Sequence, residues 1–399
     1  MAYRKILHLD LDAFFCAVEE LRQPELVGKA FAVGGAPNKR GVVSSCSYAA
    51  RRMGVHSAMP MAKALKLCPN LIVVRGSHHE YGIYSERVMN ILRNISPLVE
   101  QVSIDEAFID VSDLPEDGET IARRLQEKIQ TEVNLPCSLG VATNKLVAKI
   151  ANNIGKSSHR GDTPPRAIKV VKPGEEAAFL AVLPVKEMWG VGPKSAENLT
   201  RLGINTIGDL ANASEKFLTQ HFGKMGGQLA RSARGIDDRQ VEVEYNVKSV
   251  SQEITFSKDV QDLHKLEKKV EDLAEQVGFR LRHKHLCAAT IRIKLRWSDF
   301  STITRQVRLP QPTNQDQIII DAALKLLRAN FTSGRSVRLI GVGTSGLCEP
   351  AYQLALFDQK GDKERKLLNT LDELRDRYGE KVIRKGSSIH SKTKNGRGN

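Results

Sequence analysis

Ser103-Ile104-Asp105-Glu106 lies between two apolar, strand-like runs at residues 98–102 and 107–111. Adjacent side chains of a strand point to opposite faces of a sheet. Two neighbouring acids are therefore costly unless the chain turns there or a cation binds them. A turn between paired strands meets both conditions, because it places the carboxylates at the rim of the sheet. A solvated hairpin turn would have the same local sequence, so this stretch alone leaves both interpretations open.

Two further acids, Asp10 and Asp12, follow another apolar strand signal, Ile6-Leu7-His8-Leu9. Three carboxylates from two strand ends provide the oxygen ligands that Mg²⁺ prefers where phosphates are handled. Asp10, Asp105 and Glu106 are therefore candidate metal ligands.

The order of predicted elements indicates an α+β fold. Strand signals occur at residues 5–10, 99–102, 106–111 and 137–141. Helical periodicity occurs at about 79–94 and 119–132. The order strand, helix, strand, strand, helix, strand is the ferredoxin-like βαββαβ pattern. A mixed block at 17–77 is inserted after the first strand, where it would overhang the rim that carries the acids and form one wall of a cleft.

A second, all-helical segment is predicted at 173–235. Within it, Met188-Trp189-Gly190-Val191-Gly192-Pro193-Lys194 leads into a helix at 195–202 and resembles a helix-hairpin-helix. Such a turn exposes backbone N–H groups at a helix N-terminus, where a phosphate can bind without any base being read. Gly190, Gly192 and Lys194 are therefore candidate phosphate contacts, and an ordinary helix–helix connection is the alternative.

A third segment, 249–345, is a second α+β unit that follows a polar linker at 237–248. Its strand at 288–297 alternates buried-type residues with Arg292, Lys294 and Arg296, which predicts a row of cations on one sheet face. Residues 246–345 contain 17 Lys/Arg against 10 Asp/Glu. We interpret the row as a surface that follows a line of phosphates, with an affinity that falls as salt rises.

The composition also favours a polyanionic partner. The 399 residues carry a formal net charge of +14, and nucleic acid is the commonest partner of so basic a protein, although a basic protein without such a partner is the alternative. The chain has no apolar run long enough for a membrane span and no signal-peptide pattern. Its six cysteines lack disulfide or zinc spacing and are predicted to be buried thiols of a cytoplasmic protein.

With these features together, residues 3 to 345 resemble the Y-family DNA polymerases, in particular their bacterial members. Four motifs in the family's order carry the resemblance: His8-Leu9-Asp10-Leu11-Asp12-Ala13-Phe14-Phe15, Tyr48-Ala49-Ala50-Arg51-Arg52-Met53-Gly54-Val55, Ser103-Ile104-Asp105-Glu106-Ala107 and Leu139-Gly140-Val141-Ala142-Thr143-Asn144-Lys145-Leu146-Val147-Ala148-Lys149. The resemblance implies low-fidelity, template-directed DNA synthesis across damaged bases, without a proofreading exonuclease.

The resemblance also implies the domain organisation. The domains would be a palm at 1–16 and 78–166, fingers at 17–77, a thumb at 167–236, a linker at 237–248, a little finger at 249–345 and a C-terminal segment at 346–399. The little finger would grip the primer–template DNA.

For the active site, the resemblance implies two Mg²⁺ ions. Asp10 and Asp105 would bridge both ions, Glu106 would hold the ion next to the primer hydroxyl, and the Leu11 carbonyl would complete the other. Asp12 matches no ligand of the family and is interpreted as structural.

The resemblance further implies a site for the incoming dNTP. Tyr48 and Arg51, which share one helical face, would hydrogen-bond the triphosphate, and Lys156 would reach it from the segment after a helix at 144–154. Ser45 would lie under the nascent base pair. Phe15 would exclude a 2′-hydroxyl, with Phe14 beside it in a packing role at the same site.

Gln353-Leu354-Ala355-Leu356-Phe357 resembles the peptide with which such enzymes bind the bacterial sliding clamp, with Gln353, Leu354, Leu356 and Phe357 as anchors. The alternative is a strand or helix start that packs on the body of the protein. A charged helix at 363–378 and a basic tail follow. The expected partners are primer–template DNA, dNTP and the clamp. The protein itself is expected to be a monomer. The rival functions are a catalytically silent DNA-binding scaffold of the same fold and a nucleotidyl cyclase.

Overall fold

The structure, a computed structural model, describes residues 3–244, 246–350 and 359–379. It divides into two compact units, residues 1–245 and 246–399. Within the described ranges, no helix combines the length and the apolar character that crossing a membrane requires.

The first unit is built on a five-stranded sheet with the strand order β5-β6-β1-β7-β8. Its strands are β1 (Ile6–Leu11), β5 (Val99–Gln101), β6 (Glu106–Asp110), β7 (Cys137–Ala142) and β8 (Ile168–Val170). Helix α4 (His78–Arg93) precedes β5, and α5 (Gly118–Val133) connects β6 to β7. Central strand β1 is antiparallel to both β6 and β7, which confirms the ferredoxin-like prediction.

Strand β8 is missing from the sequence-based prediction, which begins the thumb at residue 167. It pairs in parallel with β7 at the edge of the first sheet, so these residues continue that sheet. The strand has three residues, of which two are half-buried and one is exposed, and so short a segment shows no readable periodicity.

The two faces of β1 have different roles. Leu7, Leu9 and Leu11 pack into the core formed with α4 and α5. The opposite face, with Ile6, His8 and Asp10, is covered by α6 (Lys145–Ser157). Lys156 therefore lies in the last turn of α6, and its predicted position after that helix is wrong, because the helix continues three residues beyond residue 154.

The inserted block forms a small sheet with the order β3-β2-β4. Its elements are α1 (Phe14–Arg22), β2 (Phe31–Gly34), β3 (Val43–Cys46), α2 (Tyr48–Arg52), α3 (Met61–Leu67) and β4 (Ile72–Val74). A separate core that includes Val43, Ala50 and Met61 holds it together.

The rest of the first unit is helical. The helices are α7 (Glu176–Ala181), α8 (Pro193–Arg201), α9 (Ile207–Asn212), α10 (Glu215–Phe222) and α11 (Lys224–Ala233). Gly190 has a φ of 93°, a conformation that glycine adopts without strain. Gly192 precedes α8, which has Pro193 in its first turn, so the predicted glycine turn does lead into a helix.

The second unit is built on a four-stranded sheet with the strand order β11-β10-β12-β9. Its elements are β9 (Ser249–Val260), α12 (Leu263–His283), β10 (Cys287–Trp297), β11 (Thr302–Thr313), α13 (Asp316–Asn330), β12 (Val337–Cys348) and α14 (Gln359–Tyr378). Helices α12 and α13 cover the face that carries Ile291, Ile293 and Leu295.

Cysteine burial differs from the prediction at one position. All six thiols are free, and five are buried, but Cys348 at the end of β12 is exposed. The predicted clamp residues Gln353, Leu354, Leu356 and Phe357 lie outside the described residues.

The close packing of α6 on β7 gives a testable prediction. A Cβ added at Gly140 would collide with the Ala148 carbonyl oxygen and lie 2.6 Å from the Asn152 backbone nitrogen. Gly140→Ala should therefore lower the free energy of unfolding by about 1–3 kcal/mol or more, measured by denaturant titration. Gly82→Ala in α4 is the control, since its Cβ meets no atom within 4 Å and should be neutral or stabilising. Equal stability of the two variants would refute the packing argument.

Candidate active site

The backbone of the first sheet brings the predicted metal ligands to one rim. Asp10 on β1 is the direct cross-strand partner of Glu106 on β6. The Leu11 N–H donates to the Asp105 carbonyl oxygen at 2.9 Å, which joins the hairpin to the end of β1. Ala13 then turns the chain into α1 with a φ of 47°, a left-handed conformation that is uncommon for a residue with a side chain.

Each of the three carboxylates has its own partner. Asp10 is paired with Lys156, Asp105 accepts a hydrogen bond from Ser103 Oγ at 2.5 Å, and Glu106 contacts His8 Nε2 at 2.6 Å and Lys149 Nζ. Among the described residues, no three acidic, histidine or cysteine side chains form a ready metal-binding cluster. The main chain thus brings the ligands together, while the side chains point to separate partners.

Two of these partners, Lys149 and Lys156, belong to one stripe of α6, which we call the α6 ladder: Lys145, Lys149, Asn152 and Lys156. The spacings of four, three and four residues place the four side chains on one face of the helix. Lys145 donates to Glu100 at 2.6 Å, and Asn152 donates to His8 Nδ1 at 3.0 Å. The ladder therefore places three ammonium groups beside the rim acids and their neighbour Glu100.

The protonation of this network follows from its contacts. Burial lowers the pKa of His8, so its ring is neutral, with Nε2–H donating to Glu106 and Nδ1 accepting from Asn152. Burial alone would raise the pKa of Glu106, but the hydrogen bond from His8 and the hydrogen bond and charge of Lys149 lower it to about 2. Burial raises the pKa of Asp10, and Lys156 opposes that shift.

Asp12 has different surroundings, although it is only two residues from Asp10. Its side chain is fully buried, and it accepts hydrogen bonds from Ser138 Oγ at 2.9 and 3.0 Å and from the Arg166 N–H at 3.1 Å. Lys156 Nζ lies 3.3 Å away. These contacts agree with a structural role that ties the end of β1 to β7 and to the start of β8.

A cavity of about 210 Å³ opens beside the rim. The predicted site residues that line it are Asp10, Leu11, Phe14, Phe15, Ser45, Arg51, Asp105 and Lys156. Glu106 and Tyr48 do not line this cavity. The inserted block supplies one wall, as the position of the insertion predicts.

Tyr48 and Arg51 lie together on α2 above this cavity. The Arg51 guanidinium carbon is 4.7 Å from the centre of the Tyr48 ring, and Arg51 Nε donates to the Cys46 carbonyl oxygen at 3.2 Å. The Tyr48 hydroxyl is buried and has no hydrogen-bond partner in the described part of the chain. Burial raises the pKa of Tyr48, so the hydroxyl keeps its proton and can donate to an anion.

Phe15 is supported from behind by a second aromatic ring. Tyr81 on α4 stacks on it with a centroid distance of 4.3 Å and an interplanar angle of 16°. The Tyr81 hydroxyl donates to the buried Glu19 carboxylate at 2.7 Å. This hydrogen bond fixes the position of the Tyr81 ring. Phe14 is 3% exposed and packs in the core.

The sequence interpretation missed His8, Lys149, Asn152 and Tyr81. His8 and Asp10 alternate on the same face of β1, and the α6 ladder repeats with helical spacing, so both signals were present. Tyr81 carries no such signal, because its role depends on how α4 crosses α1.

The predicted DNA contacts lie elsewhere in the chain. Arg292, Lys294 and Arg296 follow one face of β10, opposite the buried residues, as their alternation predicts. Lys294 is paired with Glu253 at 2.9 Å, and Arg296 Nε donates to Thr302 Oγ1 at 2.9 Å. Gly190 and Gly192 leave open space where a Cβ would be, so the backbone of their turn is accessible.

Comparison with known proteins agrees with this architecture. The impB/mucB/samB family matches residues 9–153, its C-terminal domain matches 247–356, and the DNA polymerase-iota thumb domain matches 186–237. DNA polymerase IV of Dehalococcoides mccartyi (strain 195) is 40% identical over 98% of this chain and 99% of its own length. DNA polymerase IV of Listeria monocytogenes (strain F2365) is 41% identical over 88% of this chain and 96% of its own.

Solved structures with the same fold include a Y-family DNA polymerase chimera and DinB from Sulfolobus solfataricus. The chimera has a TM-score of 0.76 and 25% identity, covering 87% of this chain and 100% of its own. DinB has a TM-score of 0.60 and 26% identity, covering 86% and 98%. The chain belongs to the impB/mucB/samB family of Y-family DNA polymerases. It is a DNA-directed DNA polymerase of the translesion class. This membership disfavours the two rival functions, a nucleotidyl cyclase and a catalytically silent DNA-binding scaffold.

The contact between Lys149 and Glu106 gives a second prediction. Lys149→Met leaves a largely buried carboxylate without its cation and should lower the free energy of unfolding at pH 7 by about 1–3 kcal/mol. Because the folded pKa of Glu106 is depressed, its contribution is present above the unfolded pKa and is lost as pH falls towards about 2. The deficit of the variant should therefore shrink below about pH 4.5, measured by denaturant titration at each pH.

The control is the double variant Lys149→Met/Glu106→Gln, which should recover most of the lost stability at neutral pH. A deficit that stays constant with pH, or a double variant with simply additive losses, would contradict the assigned ion pair.

Proposed function

We propose that the chain extends a primer 3′ end by two-metal phosphoryl transfer at the rim of the first sheet. The observation that supports this most is the pairing of Asp10 with Glu106, with Asp105 in the adjoining turn and a polar cavity beside them. Phosphoryl transfer needs mainly positioning and positive charge, and these residues can provide both.

The donor set fits magnesium. Asp10, Asp105 and Glu106 provide carboxylate oxygens, and Leu11 provides a backbone carbonyl that lines the cavity, all of which are hard ligands. Asp10, Asp105 and Glu106, together with the Leu11 carbonyl, would hold the two ions. When bound, the ions make the 3′-hydroxyl a better nucleophile and stabilise the leaving pyrophosphate. Lys149 and Lys156 would then move away from Glu106 and Asp10, their present carboxylate partners.

The triphosphate would lie along α2 and the end of α6. The Arg51 guanidinium lines the cavity, and the Tyr48 ring lies against it with a buried hydroxyl that has no hydrogen-bond partner among the described residues. Lys156, once released from Asp10, would supply a third positive contact. Ser45 would lie below the nascent base pair, while Phe14 holds the chain in the core and Phe15 meets the sugar.

The DNA would be held without sequence selection. We assign the Gly190, Gly192 and Lys194 turn of the thumb and the cations Arg292, Lys294 and Arg296 of the little finger to phosphate contacts. The domains would follow the limits inferred from the sequence, with residues 168–170 moved to the palm. We also assign Gln353, Leu354, Leu356 and Phe357 to a bacterial sliding clamp on their sequence alone, and infer a monomer in the cytoplasm.

The catalytic role of Asp105 gives the main test. Asp105→Asn should abolish primer extension with Mg²⁺, because it removes a bridging charge, while leaving the affinity for primer–template DNA within about twofold, because the DNA contacts lie elsewhere. Extension is followed on a gel and affinity by fluorescence anisotropy. Asp113→Asn, an exposed acid after β6, is the matched control and should extend normally. Near-normal extension by Asp105→Asn would refute the proposal.

The position of Phe15 gives a separate test of sugar selection. Phe15→Ala removes the ring that would collide with a 2′-hydroxyl, so relative use of ribonucleotides should rise by about ten- to a hundredfold. Single-nucleotide incorporation rates with dNTP and rNTP measure this ratio. Phe14→Ala should instead lower stability and slow both nucleotides together. An unchanged ratio in Phe15→Ala would remove the sugar-gate assignment.

A further inference from the structure

The hairpin between β10 and β11 exposes an aromatic ring. Phe300 is 61% exposed, and no other phenylalanine among the described residues is comparably open. Its φ of 65° lies in the left-handed region, where a bulky residue is strained. Such strain persists only where the surroundings impose it, and it concentrates at functional sites. Glycine would fit this turn without strain, so the ring is not explained by the fold.

A second irregularity brings a cation to the ring. Arg296 pairs with Leu339 and Trp297 pairs with Val337, so Arg338 is the extra residue of a β-bulge in β12. Bulges redirect side chains, and this one places the Arg338 guanidinium carbon 4.5 Å from the centre of the Phe300 ring.

The hairpin itself is held firmly. Arg335 donates to Asp299 at 2.8 Å and to Ser301 Oγ at 2.9 Å, and its guanidinium carbon lies 4.4 Å from the centre of the Trp297 ring. The Phe300 N–H donates to the Trp297 carbonyl oxygen at 3.0 Å. The one acid of the turn is thus neutralised, and the ring is presented on a fixed support.

We propose that Phe300 and Arg338 form a stacking site for an unpaired nucleobase of single-stranded DNA. An aromatic ring beside cations is how proteins bind single strands, because every base has a π-face and every linkage a negative charge. The cation row of β10 ends at Arg296, directly before this hairpin, so a strand that follows the row reaches the ring. The site rests on the proposed DNA-binding role of this sheet, and it adds a preference for unpaired template.

The test compares two DNAs with the full-length protein: a blunt duplex, and the same duplex with a single-stranded 5′ template extension. Fluorescence anisotropy at fixed salt gives both affinities. Phe300→Ala and Phe300→Leu should each weaken binding of the extended DNA by about five- to tenfold and leave the blunt duplex within twofold. Phe300→Trp should keep the preference, because it keeps a π-face. The slope of affinity against salt should not change in Phe300→Leu, since stacking releases no ions.

Further variants keep the proposal falsifiable. Phe300→Gly relieves the backbone strain, so it should unfold at a temperature no lower than Phe300→Ala while losing the preference for the extended DNA. The double variant Arg292→Ala/Lys294→Ala should weaken both DNAs together, which tests the sheet apart from the ring. Two outcomes would overturn the stacking site while leaving the polymerase assignment intact. One is that Phe300→Ala and Phe300→Gly still prefer the extended DNA over the blunt duplex as strongly as the unchanged protein does. The other is that they lose affinity equally for both DNAs.

Discussion

The antiparallel pairing of β1 with β6 places Asp10 opposite Glu106, and the chemistry of the first unit depends on this register. A slip of one residue would turn the face with His8 and Asp10 into the core and bring Leu7 and Leu9 towards α6. The hydrophobic core on one face of β1 therefore also specifies which acids reach the rim. The stability of the sheet and the geometry of the site have the same origin.

The positive charges of α6 stabilise the cluster of carboxylates at the rim. Three carboxylates at one rim repel each other, and the α6 ladder sets ammonium groups beside them at helical spacing. The ladder reaches the rim because Gly140 lets α6 approach β7 at backbone distance. One of these lysines, Lys156, lines the cavity in which we propose that the triphosphate binds, so one helix would support both the resting site and its substrate.

The sequence predicted most of the first sheet, because its strands are apolar runs separated by clear helical periodicity. It did not predict β8, which is too short for a period, or the extent of α6, which places Lys156 inside a helix. For the site, motifs indicated Asp10, Asp105, Phe15 and Arg51, and all four line the cavity. Partners such as Tyr81 depend on how helices cross. The bulge at Arg338 also has no local signature, because it arises from a mismatch between two strands.

The central claim is that Asp10, Asp105 and Glu106 together hold the metal ions of DNA synthesis. The most direct measurement is anomalous diffraction from a crystal of the protein with primer–template DNA, a non-hydrolysable dNTP and Mn²⁺ in place of Mg²⁺. The account predicts two anomalous peaks between these carboxylates, one of them next to the Leu11 carbonyl, with Lys149 and Lys156 moved away from their present partners. Peaks at Asp12, or none at the rim of β1 and β6, would contradict it.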